Sequence, residues 1–162
     1  MLRGTGLRRA EIAALDVRDY QRETGEVLVR GGKGNKDRRV WAPSGTRAAI
    51  EAWLAVRGEV PGALFFRAFK GGRLSAKRIT DEAVAIVLAT RAAEAGVSAC
   101  TPHDMRRTYI SELLDAGADI ATVQKLVGHE QVTTTASYDR RGEAAKRKAV
   151  ELVHVPFFPR SG

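Results

Sequence analysis

The tetrapeptide Thr101-Pro102-His103-Asp104 constrains the backbone more than any other stretch of this sequence. Threonine is a strong helix N-cap and proline suits the first helical position. An acidic side chain three residues past the cap closes the reciprocal bonds of a capping box. A helix is therefore predicted from here to near Gly117. Asp119 then offers a cap for a second helix, IATVQKLV, which Gly128 terminates. A short threonine-rich helix around 131–139 and a last helix over EAAKRKAVELV follow.

The first half reads differently. Leu7, Ile12 and Leu15 have the apolar spacing of a helix over about 6–16, with Gly6 easing its entry. EVLVR (26–30) and DRRVWA (37–42) are rich in strand formers, and the intervening GGKGNK has the backbone freedom of a hairpin turn. Ser44 is expected to cap a helix carrying Ile50, Trp53 and Leu54. GALFFRAFKGGRLS reads as strand and turn, adding a third strand to the hairpin, and Ser75 as the start of a long helix closed by Gly96. The expected fold class is thus α+β, mainly helical, with a small antiparallel β-sheet of about three strands near the N-terminus. The 162 residues make one domain.

Charge narrows the function. There are 27 Lys and Arg against 19 Asp and Glu, a net charge of +8, so a polyanionic partner is expected. The longest apolar run, AVAIVLA at 83–89, is too short to span a bilayer, and MLRGTGLRRA lacks a signal-peptide core. Cys100 is the single cysteine, which excludes an intrachain disulfide. Three scattered histidines and one cysteine do not form a zinc ligand set. A cytoplasmic protein with no membrane partner, no metal and no cofactor is the expectation.

His103 and Arg106 share a helix face in its first turn, where the helix end already favours an anion. Singly, these and the other notable residues read as ordinary surface: His129 after Gly128, a half-buried Tyr138, Lys33 in a hairpin turn and Arg8 on a helix. Together they fit another purpose. Arginines clamp phosphodiester oxygens, often with two parallel bonds, and histidine adds a donor. Tyrosine can attack phosphorus and lysine can protonate a leaving oxygen.

In order, TGLRRAE, GGKGNKDRR, HDMRRTY, LVGHE and ASYDR closely resemble the catalytic domain of the tyrosine recombinases, or phage integrases (Xer-like site-specific recombinases). The likeness runs from Thr5 to about Val150 and includes the family's nine-residue step from His129 to Tyr138. It implies that Arg8 and Arg106 grip the scissile phosphate, with Glu11 supporting Arg8. His103 corresponds to the proton acceptor, Lys33 to the general acid, His129 to a phosphate donor and Tyr138 to the nucleophile. Neighbouring Arg9, Lys36, Arg38 and Arg107 are expected to bind DNA.

The resemblance further implies a double-stranded DNA partner and a homo-oligomer on DNA, a tetrameric synapse in the full-length protein, with the chain alone a monomer. Residues 1–152 are expected to form the catalytic domain with its first helices missing, 153–162 a C-terminal tail, and the family's N-terminal core-binding domain to be absent. VHVPFFP has the apolar character to dock on a neighbouring protomer or on its own core. Two alternatives stand beside strand exchange: DNA relaxation of the type IB topoisomerase kind, and a non-catalytic DNA-binding remnant. A basic RNA-binding protein would need aromatic stacking motifs that the sequence lacks.

Overall fold

The computed structural model describes residues 1–31, 37–69, 71–150 and 152. Alternation in EVLV and RRVW yields two antiparallel strands, β1 (Glu26–Val29) and β2 (Arg38–Trp41), with Val27 opposite Val40 and Val29 opposite Arg38. Their inward residues Val27, Val29 and Val40 are fully buried, each such burial contributing about 1.5–3 kcal/mol.

The chain enters through α1 (Leu2–Thr5), closed by Gly6 in a left-handed conformation (φ 60°). Arg8 is extended, so α2 spans only Arg9–Ala14, shorter than the helix expected over 6–16. After the sheet come α3 (Ser44–Arg57), whose cap position is Pro43 rather than Ser44, and the strands β3 (Phe66–Ala68) and β4 (Leu74–Arg78).

The third strand expected for the first sheet belongs elsewhere. Among the described residues β3 and β4 pair only with each other, giving two two-stranded sheets. The open edge of β1 is taken by Tyr20, bridged to Val27, and by Gln21, whose N–H donates to the Glu26 carbonyl at 2.8 Å. Arg78 ties β4 to the end of α2 through the Ala13 and Leu15 carbonyls, each at 2.9 Å. The chain therefore stays extended past Ser75. Helix α4 (Asp81–Glu94) starts at Thr80, whose hydroxyl accepts from the Ala83 N–H at 3.2 Å.

The second half follows its caps. Helix α5 (Pro102–Asp115) has the Thr101–Asp104 capping box, and Asp119 caps α6 (Ile120–Val127), which Gly128 ends at φ 67°. Then come α7 (Val132–Ala136) and α8 (Glu143–Val150). Among the described residues no helix is long and apolar enough to cross a membrane.

Two apolar clusters result. One joins Leu7, Ile12, Leu15, the strands, Ile50, Leu54 and Leu64; the other joins Ile110, Leu114, Val123 and Val127, with Tyr138 at its edge. Helix α6 belongs to both, since Val123 and Val127 enter the second while Leu126 packs against the first. Its C-terminal turn therefore lies on the seam between them.

Candidate active site

That turn gathers three arginines. A helix leaves its last carbonyls without internal partners, and cations there also meet the negative end of the helix dipole. Arg38 donates from Nε to the Leu126 carbonyl at 3.0 Å, Arg106 from Nη2 to Val127, and Arg8 from Nη2 to Gly128 at 3.1 Å. Consecutive carbonyls of one helix end thus hold side chains from β2, α5 and the start of α2.

Arg106 is 5 % exposed. Its other terminal nitrogen donates to the Gly6 carbonyl, and among the described residues it makes no ion pair. Burial and the neighbouring Arg8 and Arg38 cations lower its pKa to about 10. It therefore remains charged at neutral pH. Gly6 itself packs closely against Tyr109: a Cβ there would lie 2.3 Å from the ring.

Arg8 and Arg38 share one carboxylate. Glu11 receives Arg38 through both oxygens, at 2.9 and 2.7 Å, and Arg8 through Oε1 at 2.8 Å; its Oε2 also accepts the Arg8 backbone N–H at 2.8 Å. Burial alone would raise the Glu11 carboxyl, but bonds from Arg38 and Arg8 outweigh it and hold the pKa below its usual value. Arg38, expected at the DNA surface, is instead turned inward, its side chain only 12 % exposed. Its Nε and both terminal nitrogens bond Leu126 and Glu11, and Arg38 is not among the residues that line the cleft bordered by Arg8, His103 and Arg106.

His129 follows the αL glycine, and its Nδ1 lies 3.0 Å from the Oγ1 of buried Thr135 in α7. Burial, then the surrounding Arg106 and Arg8 charges, lower its pKa to about 4, so the ring is neutral at pH 7. When the threonine hydroxyl donates to Nδ1, the remaining ring proton sits on Nε2. The Tyr138 ring lies 6.4 Å from the His129 ring, centroid to centroid, and the Arg107 guanidinium 5.7 Å from the Tyr138 centroid.

Arg8, His103, Arg106, His129 and Thr134 line a cleft of about 510 Å³, with Glu130 in its wall. Arg8, His103 and Arg106 also border an adjoining recess of about 320 Å³ that reaches Arg9 and Thr101. Arg9 there pairs with Asp81 at 3.2 Å. Two arginines and two histidines, from the start of α2, from α5 and from the end of α6, therefore converge on one concave, basic surface, with a tyrosine beside it. Such a surface suits an anion with several oxygens. Lys33 and Lys36 lie outside the described residues. Among the described residues no His, Cys, Asp and Glu side chains cluster as a metal site.

Thr135 and the carbonyls of Gly6 and Val127 escaped the sequence reading. A threonine run gives no sign of which hydroxyl turns inward, and a carbonyl carries no sequence signature. Only the left-handed glycines hinted that main chain would approach side chains there.

Comparison with known proteins agrees with this architecture. Residues 1–144 match the model of the phage integrase family. The tyrosine recombinase XerA of Pyrococcus furiosus is 33% identical over 155 residues, covering 96% of this chain and 53% of that protein. The tyrosine recombinase XerC of Corynebacterium glutamicum is 38% identical over 162 residues, covering 95% and 49%. The crystal structure of XerA recombinase superposes with a TM-score of 0.74 at 27% identity, covering 97% of this chain and 56% of that one. The fold is also that of XerH site-specific recombinase bound to difH substrate, at a TM-score of 0.68 and 24% identity, covering 92% and 43%. The chain belongs to the phage integrase family. It spans about half the length of the curated relatives it matches.

Proposed function

We propose that this chain carries the strand-cutting chemistry of a site-specific DNA recombinase. The observation that carries the reading is the placement of Arg8 and Arg106 on one cleft with His103 and His129, next to Tyr138. In this reading the two guanidiniums bind the non-bridging oxygens of the scissile phosphate, and His129, neutral, adds a donor to them. Tyr138 Oη attacks phosphorus and the bond to the 5′-oxygen breaks, leaving a 3′-phosphotyrosyl link. The phenolic proton passes to His103, and Lys33 gives a proton to the departing 5′-oxygen. Reversal of these steps with a second 5′-hydroxyl reseals DNA, so the energy of the broken bond is kept.

Magnitudes favour a mechanism of positioning and charge. A free tyrosine, with a pKa of about 10, is ionised in roughly one molecule per thousand at pH 7. Fixed cations aimed at the developing phosphorane charge contribute most of the acceleration in such sites, about 2.7–4 kcal/mol for each donor. The partner is double-stranded DNA, on which the longer protein assembles as a homo-oligomer, a tetramer at synapsis. Its place of work is the cytoplasm, where chromosomal DNA is accessible.

The test is covalent capture. Labelled duplexes nicked just beyond each candidate phosphate are incubated with the protein and run on a denaturing gel. The expected result is a shifted band that Tyr138→Phe abolishes. An adduct that survives Tyr138→Phe, or no adduct at any phosphate, overturns the reading.

A further inference from the structure

We infer that Arg38 is a positioning residue of the strand-cutting site: it fixes Arg8 through Glu11 and seats the segment bearing His129 and Tyr138 through the Leu126 carbonyl. This rests on the proposed function for its catalytic consequence, although the geometry stands without it.

Glu11 reaches the Arg8 guanidinium by one carboxylate oxygen, which it shares with Arg38, while its other oxygen holds the Arg8 backbone N–H. One oxygen can hold a guanidinium at a point, but it cannot fix the carboxylate plane. The two parallel bonds from Arg38, added to the backbone bond on Oε2, fix that plane, and with it the direction in which Oε1 meets Arg8. Meanwhile Arg38 Nε holds the Leu126 carbonyl at 3.0 Å. Helix α6 ends one residue later, and Gly128 leads directly into His129. A Cβ on Gly128 would sit 3.2 Å from three atoms of Arg38, so the two are in close van der Waals contact. One half-buried side chain therefore ties β2, α2 and the end of α6 together. The sheet register adds a further constraint, because Arg38 is paired opposite Val29 in the core sheet.

Lysine cannot reproduce this arrangement. A single ammonium has no planar fork to span both Glu11 oxygens and no Nε to reach Leu126. Arg38 is not among the residues that line the cleft, so its effect on the site runs through Glu11 and Leu126. The charged groups facing Glu11 are Arg8 from its own helix start, Arg38 from β2 and Arg106 from α5.

The experiment compares Arg38→Met, which keeps buried volume, and Arg38→Lys with the unsubstituted chain. Single-turnover cleavage of the nicked duplex is followed from pH 5 to 9, together with DNA affinity and thermal melting. We expect cleavage to fall by about tenfold to a hundredfold, the range a small misplacement costs, with affinity within about twofold. With Arg38→Met, cleavage gains an acid limb as Glu11 protonates, and adding Glu11→Gln removes that limb. Arg38→Lys melts within a few degrees of the parent yet stays slow, which keeps the test decisive if Arg38→Met does not fold. Unchanged cleavage in Arg38→Lys, or affinity falling in parallel with cleavage, overturns the inference.

A second readout needs no activity. In the free protein, the Arg8 guanidinium NMR signals are expected to broaden and the Glu11 carboxyl to titrate at higher pH in Arg38→Lys. Unchanged signals and titration overturn the positioning role even if the parent chain cuts no DNA; absent cleavage with the expected NMR changes counts against the proposed function alone.

Discussion

Arg8 and Arg106, far apart in the chain, are held by adjacent residues of one helix end: Arg8 by the Gly128 carbonyl at 3.1 Å and Arg106 by that of Val127. Their spacing is therefore set by the repeat of a helix backbone rather than by flexible side chains. Neither of these bonds uses a negative charge; Arg8 also pairs with Glu11, whereas Arg106 makes no ion pair among the described residues.

Gly128→Ala should break this arrangement twice. Alanine at φ 67° is strained, and its Cβ would crowd Arg38 at 3.2 Å. A loss of about 1–3 kcal/mol is expected, or roughly 2–4 °C in melting temperature per kcal/mol for a domain of this size. Differential scanning calorimetry would measure it, and an unchanged melt would contradict the tight packing described here.

Arg106→Lys retains the charge but cannot satisfy Gly6 and Val127 while also presenting donors to the cleft. Cleavage should drop by at least about a hundredfold, the loss typical of one oxyanion donor. Single-turnover rates would show it; a loss under threefold would place the essential charge elsewhere.

His129 ties stability to pH. Its folded pKa of about 4 lies below the ordinary 6.5, so the unfolded chain binds its proton first. The contribution is complete above pH 6.5 and declines as pH falls toward 4. Melting temperature should fall across that window, and less steeply in His129→Gln. Parallel curves for the two proteins would show that His129 titrates normally. A bound duplex should flatten the curve too, because phosphate favours the imidazolium.

DNA affinity should decline steeply between about 50 and 200 mM salt, since phosphate contacts release counterions. Filter binding or fluorescence anisotropy would give the slope, and a flat response would remove the basic cleft from the binding surface.

Much of the site was legible in the sequence because its parts sit beside strong punctuation. Thr101-Pro102 and Asp119 mark helix starts, Gly128 marks an end, and His103, Arg106 and His129 take their places from those marks. The first half was harder to read. Ser75 looked like a cap, but strand pairing with residues 66–68 prevailed because Arg78 had carbonyls of Ala13 and Leu15 to bind. Pattern cannot foresee such a long-range bond. The inward turn of Arg38 was unreadable for a related reason: one arginine in a basic run resembles the next until a carboxylate selects it.

Among the described residues the Arg106 guanidinium is held by main-chain carbonyls, and this has a consequence for stability. Any phosphate that enters the cleft gives Arg106 a direct ion pair, which it lacks among the described residues, and adds to stability by mass action, about 2.7 kcal/mol at a hundred times its dissociation constant. Ligand and scaffold are in that sense one electrostatic unit: the protein is most firmly folded while an anion occupies its cleft.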